Sequence, residues 1–195
     1  MDDLLAVMLE ARRLIALPEN DFSWSSFIDQ EAALEEIDGF ISDLDEGAAN
    51  ASWIGMLFLP TGPLQEVAIS SGWGDEFVAL ADRFDLAAAA YSGKARHLCG
   101  LCGKEAGTLT CADGELRRVS FTSVLTQRET PGVRAVIGSA RALYELDFEL
   151  APFYCPPCDR SYCGDHWNAT DSFEDGVHDS IRGTCPEGHE RLLED

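Results

Sequence analysis

The sequence predicts an α+β fold in two parts: an acidic N-terminal unit of helices and strands, and a C-terminal module rich in cysteine and histidine. Three observations predict it. Apolar residues recur at helical spacing in two stretches before residue 46. Two short apolar runs bounded by turn residues follow them. Beyond residue 98 the pattern changes, and cysteine and histidine recur in four short pairs.

The N-terminal unit, residues 1–93, is expected to have the element order α-α-β-β-α. The first helix covers the apolar positions from Leu4 to Ile15 and is ended by Pro18. The second helix covers Asp29 to Asp45, where apolar residues form one stripe. The last helix has Asp75 as a suitable N-cap residue and ends near Tyr91.

Two strands are predicted between these helices. The run SWIGMLFL, Ser52–Leu59, is typical of a buried strand, and Leu64–Ser70 alternates like its partner. The turn residues Thr61-Gly62-Pro63 separate the two runs. Ser92-Gly93-Lys94 is the expected hinge into the C-terminal module, residues 94–195.

The C-terminal module contains a long insertion, residues 104–150, between its first cysteine pair and the remaining ones. The segments Leu116–Leu125 and Arg141–Leu150 are both predicted as strands, the second because apolar residues alternate with acidic ones. We therefore expect a β insertion within the cysteine-rich part of the chain.

The net charge of −21 is the most informative feature of the composition. Residues 1–96 carry 18 acidic and 5 basic side chains. Nucleic-acid binding requires a basic face that displaces counterions, so it is disfavoured. The negative charge favours a basic protein partner instead. The alternative is that the charge serves only to keep the protein soluble. The sequence gives no information on oligomeric state.

The seven cysteines indicate metal binding rather than disulfide bonds. The first residues, MDDLLAVMLEARRL, lack the basic-then-apolar order of a signal peptide, and no segment is apolar enough to cross a membrane. We therefore expect a cytoplasmic protein without a membrane partner, in which thiols stay reduced. Clustered thiols in that setting are typical of metal ligands.

Four pairs with two or three intervening residues supply eight candidate ligands. Tetrahedral zinc binds cysteine and histidine, and short turns deliver such ligands in pairs. One such pair is weak evidence, but four matched pairs predict two structural zinc ions, held by Cys99, Cys102, Cys155, Cys158, Cys163, His166, Cys185 and His189. Cys111 is left over, and a small buried side chain is the favoured interpretation.

The order of these pairs resembles the binuclear treble-clef module of RING, FYVE and PHD fingers, in which ligand pairs alternate between two ions. That resemblance implies one site from the first and third pairs (Cys99, Cys102, Cys163, His166) and another from the second and fourth (Cys155, Cys158, Cys185, His189). Sequential pairing, which gives a Cys₄ and a Cys₂His₂ site, suits zinc equally well. The gap between the first two pairs is longer than in those families, and the fourth pair ends in histidine.

The segments CPPC, YCGDHW and CPEGH, like the N-terminal half, resemble only uncharacterised bacterial proteins, which implies no activity. Four protein ligands per ion leave no open coordination position, so the zinc is expected to be structural. The preferred hypothesis is a non-catalytic protein-interaction or adaptor protein with no catalytic residue. Two alternatives stay open: a RING-like component of a ubiquitin-like conjugation system, and a thiol oxidoreductase that uses Cys155 and Cys158.

Overall fold

A computed structural model describes residues 3–174 and 177–195 of the chain, which divides into two compact units, Met1–Ser92 and Gly93–Asp195. The first, called the helical unit below, contains helices and no strand in its described part. The second, called the C-terminal unit, contains all nine strands that the structure describes. The α+β class is confirmed for the chain as a whole, with helices concentrated before residue 93 and antiparallel strands after it.

The helical unit is built from five α-helices and one short 3₁₀ turn. The helices α1 and α2 were predicted, and the terminal helix α5 begins one residue before the predicted cap. In chain order the elements are α1 (Asp3–Ile15), α2 (Gln30–Asp45), α3 (Ala51–Gly55), the 3₁₀ turn Met56–Phe58, α4 (Pro63–Ser71) and α5 (Gly74–Ser92).

The two strands predicted in this unit are wrong. Ser52–Leu59 forms α3 and the 3₁₀ turn, and Leu64–Ser70 lies within α4. The Asn50 side chain caps α3 by accepting a hydrogen bond from the Ser52 amide at 2.9 Å. Pro63 occupies the first turn of α4, where the missing N–H costs nothing. These helix-start signals outweigh the apolar runs. The observed order of elements is therefore all-helical and not the predicted α-α-β-β-α.

An apolar core holds the helices together. Helix α1 packs against α2, α4 and α5, and α3 packs against α5. Phe58 stacks on Phe84 with a ring-centre separation of 4.2 Å. The fully buried side chains come from α1, α2, α3 and α4, and include Leu4, Met8, Ile15, Ile37, Ile54 and Leu64. Burial of each side chain of this kind contributes about 1.5–3 kcal/mol.

The C-terminal unit begins with a four-stranded antiparallel sheet in the order β1-β2-β3-β4. Two short helices and a 3₁₀ turn separate it from a two-stranded hairpin and a three-stranded sheet. The elements are β1 (Lys94–Leu98), β2 (Glu105–Ala112), β3 (Glu115–Ser120), β4 (Val124–Arg128), α6 (Val133–Val136), α7 (Ala140–Leu146), the 3₁₀ turn Phe148–Leu150, β5 (Tyr154–Cys155), β6 (Arg160–Ser161), β7 (Asn168–Glu174), β8 (Val177–Thr184) and β9 (Glu190–Glu194).

The insertion 104–150 is therefore only partly β. The predicted strand Leu116–Leu125 is two strands, β3 and β4, joined by a turn. The predicted strand Arg141–Leu150 is wrong, because this segment forms α7 and a 3₁₀ turn. The Ser139 hydroxyl caps α7 through the Ala142 amide at 3.2 Å, a helix start that the alternating pattern concealed.

A buried arginine ties distant elements of the C-terminal unit together. Arg118 of β3 is fully buried and pairs with Glu194 of β9 at 3.0 Å. Its guanidinium also donates to the Ser123 hydroxyl and to the carbonyl of Glu149. The Nε atom of Arg118 has no hydrogen-bond partner among the described residues. A buried charge needs such pairing, so the interaction fixes where β9 lies against the first sheet.

Candidate metal centres

All four ligand pairs lie in, or at the edge of, turns that connect strands. The first turn joins β1 to β2, the second joins β5 to β6, the third joins β6 to β7, and the fourth joins β8 to β9. At each turn the chain passes from one strand to the next within a few residues. The two side chains of a pair are therefore delivered to the same point by rigid backbone on both sides.

Backbone hydrogen bonds shape these turns. The Cys99 amide donates to the Lys104 carbonyl at 2.8 Å, and the Cys185 amide donates to the His189 carbonyl at 3.0 Å. Gly103 and Gly188 have φ angles of +70° and +84°, a left-handed conformation that glycine adopts without strain. These two glycines thus close the first and fourth turns.

Cluster one brings together Cys99, Cys102, Cys163 and His166, whose ligand atoms all lie within 4.8 Å of one another. The His166 Nδ1 atom lies 3.3 Å from the Sγ atoms of both Cys99 and Cys163. The Sγ atoms of Cys102 and Cys163 are 3.7 Å apart.

Cluster two brings together Cys155, Cys158, Cys185 and His189 in the same way, also within 4.8 Å. The His189 Nδ1 atom lies 3.2 Å from Sγ of Cys158 and 3.4 Å from Sγ of Cys185. The Sγ atoms of Cys158 and Cys185 are 3.7 Å apart. Both clusters are Cys₃His, and each histidine offers Nδ1.

These separations fit the edges of a zinc tetrahedron. With Zn–S at about 2.3 Å and Zn–N at about 2.0–2.1 Å, the S···S edges are about 3.8 Å and the S···N edges about 3.6 Å. The described S···S distances of 3.7 Å and S···N distances of 3.2–3.7 Å lie close to those values. The donor set, three thiols and one imidazole, is also one that suits zinc. The two clusters can therefore each hold a metal ion.

The grouping of the pairs alternates along the chain. The first and third pairs form cluster one, and the second and fourth form cluster two. This is the grouping that the resemblance to binuclear treble-clef modules implies, and the sequential grouping is not observed. The segment from Cys158 to Cys163 contains strand β6 and connects one cluster directly to the other.

The protein environment acts differently on the individual thiols. Burial opposes ionisation of Cys99, but amide donors from Cys163, Leu101 and Cys102 outweigh it and lower the pKa to about 6. Burial likewise opposes ionisation of Cys185, but the amides of His189 and Glu187 lower its pKa to about 7. These oriented amides favour the thiolate form that a metal ion requires.

Cys155 behaves in the opposite way. Burial raises the pKa of its thiol to about 12, and the neighbouring thiols Cys158 and Cys185 add to that effect. Burial also raises the pKa of Cys163 in cluster one. Three thiolates so close together repel one another, and a dication at their centre removes that repulsion. A reactive thiol at Cys155 requires a lowered pKa instead.

Buried aromatic side chains surround the clusters. Tyr162 and Trp167 pack edge to face at 6.2 Å, and the Trp167 indole donates to the Phe153 carbonyl at 3.2 Å. These rings and Tyr154 are almost completely buried, so they shield the thiols rather than form an exposed surface. Outside cluster one, Lys104 pairs with Asp165 at 2.7 Å, next to the ligand His166.

Among the described side chains, one cysteine and one histidine stay outside both clusters. Cys111 lies buried on β2, where burial raises its pKa. His97, two residues before Cys99, stacks on Phe153 at 4.9 Å and hydrogen-bonds the Ile137 carbonyl at 3.0 Å through Nε2. Burial lowers the pKa of His97 to about 4, so the ring is neutral at pH 7. Both residues are part of the core.

The Arg118–Glu194 pair was missed by the sequence analysis. Arg118 stands beside a second arginine in an alternating strand, and no local pattern distinguishes the buried arginine from its exposed neighbour Arg117. The partner lies 76 positions further along the chain. Single-sequence patterns contain no signal for a pairing over that distance.

Comparison with known proteins matches part of the chain to a protein family. A family model described as "Domain of unknown function (DUF8328)" matches residues 134–195, about a third of the chain. The matched span contains all of cluster two and the Cys163–His166 half of cluster one, whereas Cys99 and Cys102 lie before it. No curated protein and no solved structure matches.

A search of the described residues for membrane-spanning segments is negative. No helix in residues 3–174 or 177–195 combines the length and apolar character needed to cross a bilayer.

Proposed function

We propose that the protein is a zinc-stabilised, non-catalytic interaction protein whose helical unit binds a basic protein partner. The observation that carries the zinc assignment is the pair of Cys₃His clusters, each with four ligand atoms within 4.8 Å. Four protein ligands complete a tetrahedron, and a site without an open position is structural rather than catalytic. The residues that hold the two ions are Cys99, Cys102, Cys163 and His166 in cluster one, and Cys155, Cys158, Cys185 and His189 in cluster two.

Zinc supplies stability that the C-terminal unit needs. Its β5–β6 hairpin has only two residues per strand, and its three sheets are small. Small, loop-rich modules gain folding free energy from metal binding that their apolar cores do not provide. The ions would hold the four turns in place and leave the outer surfaces available for contacts.

The acidic surplus of the helical unit supports the basic partner. Residues 1–92 contain 18 acidic and three basic side chains. Two of the basic side chains, Arg12 and Arg13, already pair with acids of the same unit. Such a surface attracts cationic proteins and raises their association rate at low ionic strength.

The first test is native mass spectrometry of the full chain before and after a strong chelator, followed by circular dichroism. We expect two zinc ions per chain. Removal should unfold the C-terminal unit and leave the helical signal of residues 1–92 largely intact. A chain that binds fewer than two ions, or keeps its tertiary structure after their removal, would contradict the structural role and return the thiol oxidoreductase to consideration.

The alternating grouping of ligand pairs favours a second candidate, a RING-like component of a ubiquitin-like conjugation system. That grouping is shared with RING fingers, but a shared scaffold does not establish a shared activity. The test is binding to, and stimulation of, a ubiquitin-like conjugating enzyme by the zinc-loaded protein. Absence of both effects removes this candidate and leaves the adaptor proposal unaffected.

A further inference from the structure

The loop between α1 and α2 presents two large apolar side chains to solvent. Ile28 is 88% exposed and Trp24 is 78% exposed, more than any other large apolar side chain in the described residues. Single exposed apolar residues are common on protein surfaces and need no explanation. Two such residues four positions apart, in one short loop, form a more concentrated feature.

Hydrogen bonds hold this loop, residues 21–29, in one shape. Asp21 accepts from the Ser23 amide at 2.8 Å, and the Ser25 hydroxyl accepts from the Phe27 amide at 3.2 Å. Ser25 also donates to the Pro63 carbonyl at 3.0 Å, which attaches the loop to the start of α4. Phe27, between the two exposed residues, is buried in the core. The loop is thus anchored while Trp24 and Ile28 project outward.

An open, acidic face of α2 begins directly after the loop. Its residues are Gln30, Glu31, Leu34, Glu35 and Asp38. Leu34 is a partly buried apolar side chain among acidic ones. Gln30 fixes the helix start by donating to the carbonyls of Ile15 and Leu17.

The charge of this face determines what it can bind. Asp38 is already paired with Arg12 at 2.5 Å. Glu31 and Glu35 have no ion-pair partner in the part of the chain that the structure describes, and both are exposed. An apolar anchor beside unpaired carboxylates complements a segment with apolar and cationic side chains on one surface.

We propose that the Trp24 loop (residues 21–29) and the acidic face of α2 together form a docking surface for a cationic amphipathic segment of the protein partner. This inference rests on the proposed function and names the surface that carries it. Trp24 and Ile28 bury apolar side chains of the segment, and Glu31 and Glu35 pair with its lysine or arginine residues. Tryptophan is among the residues enriched at binding hot spots, because it buries a large area at low entropic cost.

The test uses the full chain in its zinc-loaded form and a synthetic amphipathic helical peptide with leucine on one face and lysine or arginine on the other. Binding is measured by anisotropy of a labelled peptide. A peptide of the same composition with its order scrambled is the control for amphipathic character. Polylysine is the control for charge alone.

Matched variants distinguish peptide binding at this surface from attraction by the overall negative charge of the chain. Trp24→Ala should weaken peptide binding by at least about thirtyfold, the size of effect that defines a hot spot. Trp53, which is 68% exposed on α3, gives the control Trp53→Ala, expected to change binding by less than about twofold. The pair Glu31→Gln and Glu35→Gln should weaken binding by about fivefold. Asp43→Asn with Asp45→Asn changes net charge equally and should have little effect.

Fluorine NMR of protein labelled with fluorotryptophan adds a direct readout. The chain has four tryptophans, and substitution of each by phenylalanine assigns the resonances. Saturating peptide should shift the Trp24 resonance and leave those of buried Trp73 and Trp167 in place. This readout does not depend on the stability of the alanine variants.

The outcomes distinguish the two proposals. Equal weakening by the test and control variants, or a Trp24 resonance that does not move, would overturn the docking surface while a basic partner remains supported. Failure of the wild-type chain to bind the amphipathic peptide, while polylysine binds, would also overturn it. If neither cationic probe binds at low salt, the basic-partner part of the proposed function fails as well.

Discussion

The two units of the chain are stabilised by different sets of interactions. The helical unit buries apolar side chains from all its longer helices around one core. The C-terminal unit also buries apolar side chains, such as Leu109, Ile137 and Phe153, but adds the buried Arg118–Glu194 pair and two Cys₃His clusters. The stability of the helical unit therefore depends mainly on buried nonpolar area, whereas that of the C-terminal unit depends in addition on an ion pair and on metal-ligating side chains. The comparison therefore predicts unequal responses to the same kind of perturbation.

The largest effect should follow loss of a ligand. Cys163→Ser removes one thiol from cluster one, so we expect the chain to lose one zinc ion and most of the tertiary structure of the C-terminal unit. Cys111→Ser, in the same unit but outside both clusters, should keep two ions and cost about 1–3 kcal/mol for a buried hydroxyl. Native mass spectrometry and chemical denaturation measure both. Two ions retained by Cys163→Ser would refute the assignment of that ligand.

The second effect concerns the buried ion pair. Glu194→Ala leaves Arg118 fully buried without its carboxylate, and breaking a buried pair in this way costs about 3–5 kcal/mol. Glu190, on the same strand but exposed, provides the control Glu190→Ala, expected within about 0.5 kcal/mol of wild type. Urea unfolding monitored by the fluorine NMR resonance of Trp167 in fluorotryptophan-labelled protein compares them. Similar losses in both variants would show that the pair does not hold β9.

The smallest effect concerns the exposed pair of the helical unit. Asp38 receives two hydrogen bonds from Arg12, at 2.5 and 2.9 Å, and this interaction lowers the pKa of the carboxyl. Because the folded-state pKa is below the unfolded one, the contribution is present above the unfolded pKa and is lost as pH falls through the folded pKa. Solvent screens the pair, so the change in stability should be far smaller than for Glu194.

NMR titration of the Asp38 carboxyl checks this contribution. Arg12→Gln should return the pKa of Asp38 toward its ordinary value, while Arg13→Gln, which removes the neighbouring pair with Glu10, should not. An Asp38 pKa that is unchanged by Arg12→Gln would show that the pair is not maintained in solution.

The sequence predicted the parts of the structure that local chemistry determines. Helices α1 and α2 carry long apolar stripes with clear end signals, and the ligand pairs carry their own turn residues. The strand prediction for Ser52–Leu59 is wrong because a short apolar run suits a buried strand and a buried helix equally, and the Asn50 cap favours the helix. The grouping of ligands into clusters came only from a family resemblance, since spacing alone allowed two solutions. Arg118 and Glu194 required the folded chain.

The alternating order of the ligand pairs has a consequence for synthesis. During translation Cys99, Cys102, Cys155 and Cys158 emerge from the ribosome before Cys163. Those four thiols form a complete zinc-binding set of their own, so a nascent chain can load an ion in a grouping that the finished structure does not contain. Maturation then requires exchange of ligands once His166 and the fourth pair appear.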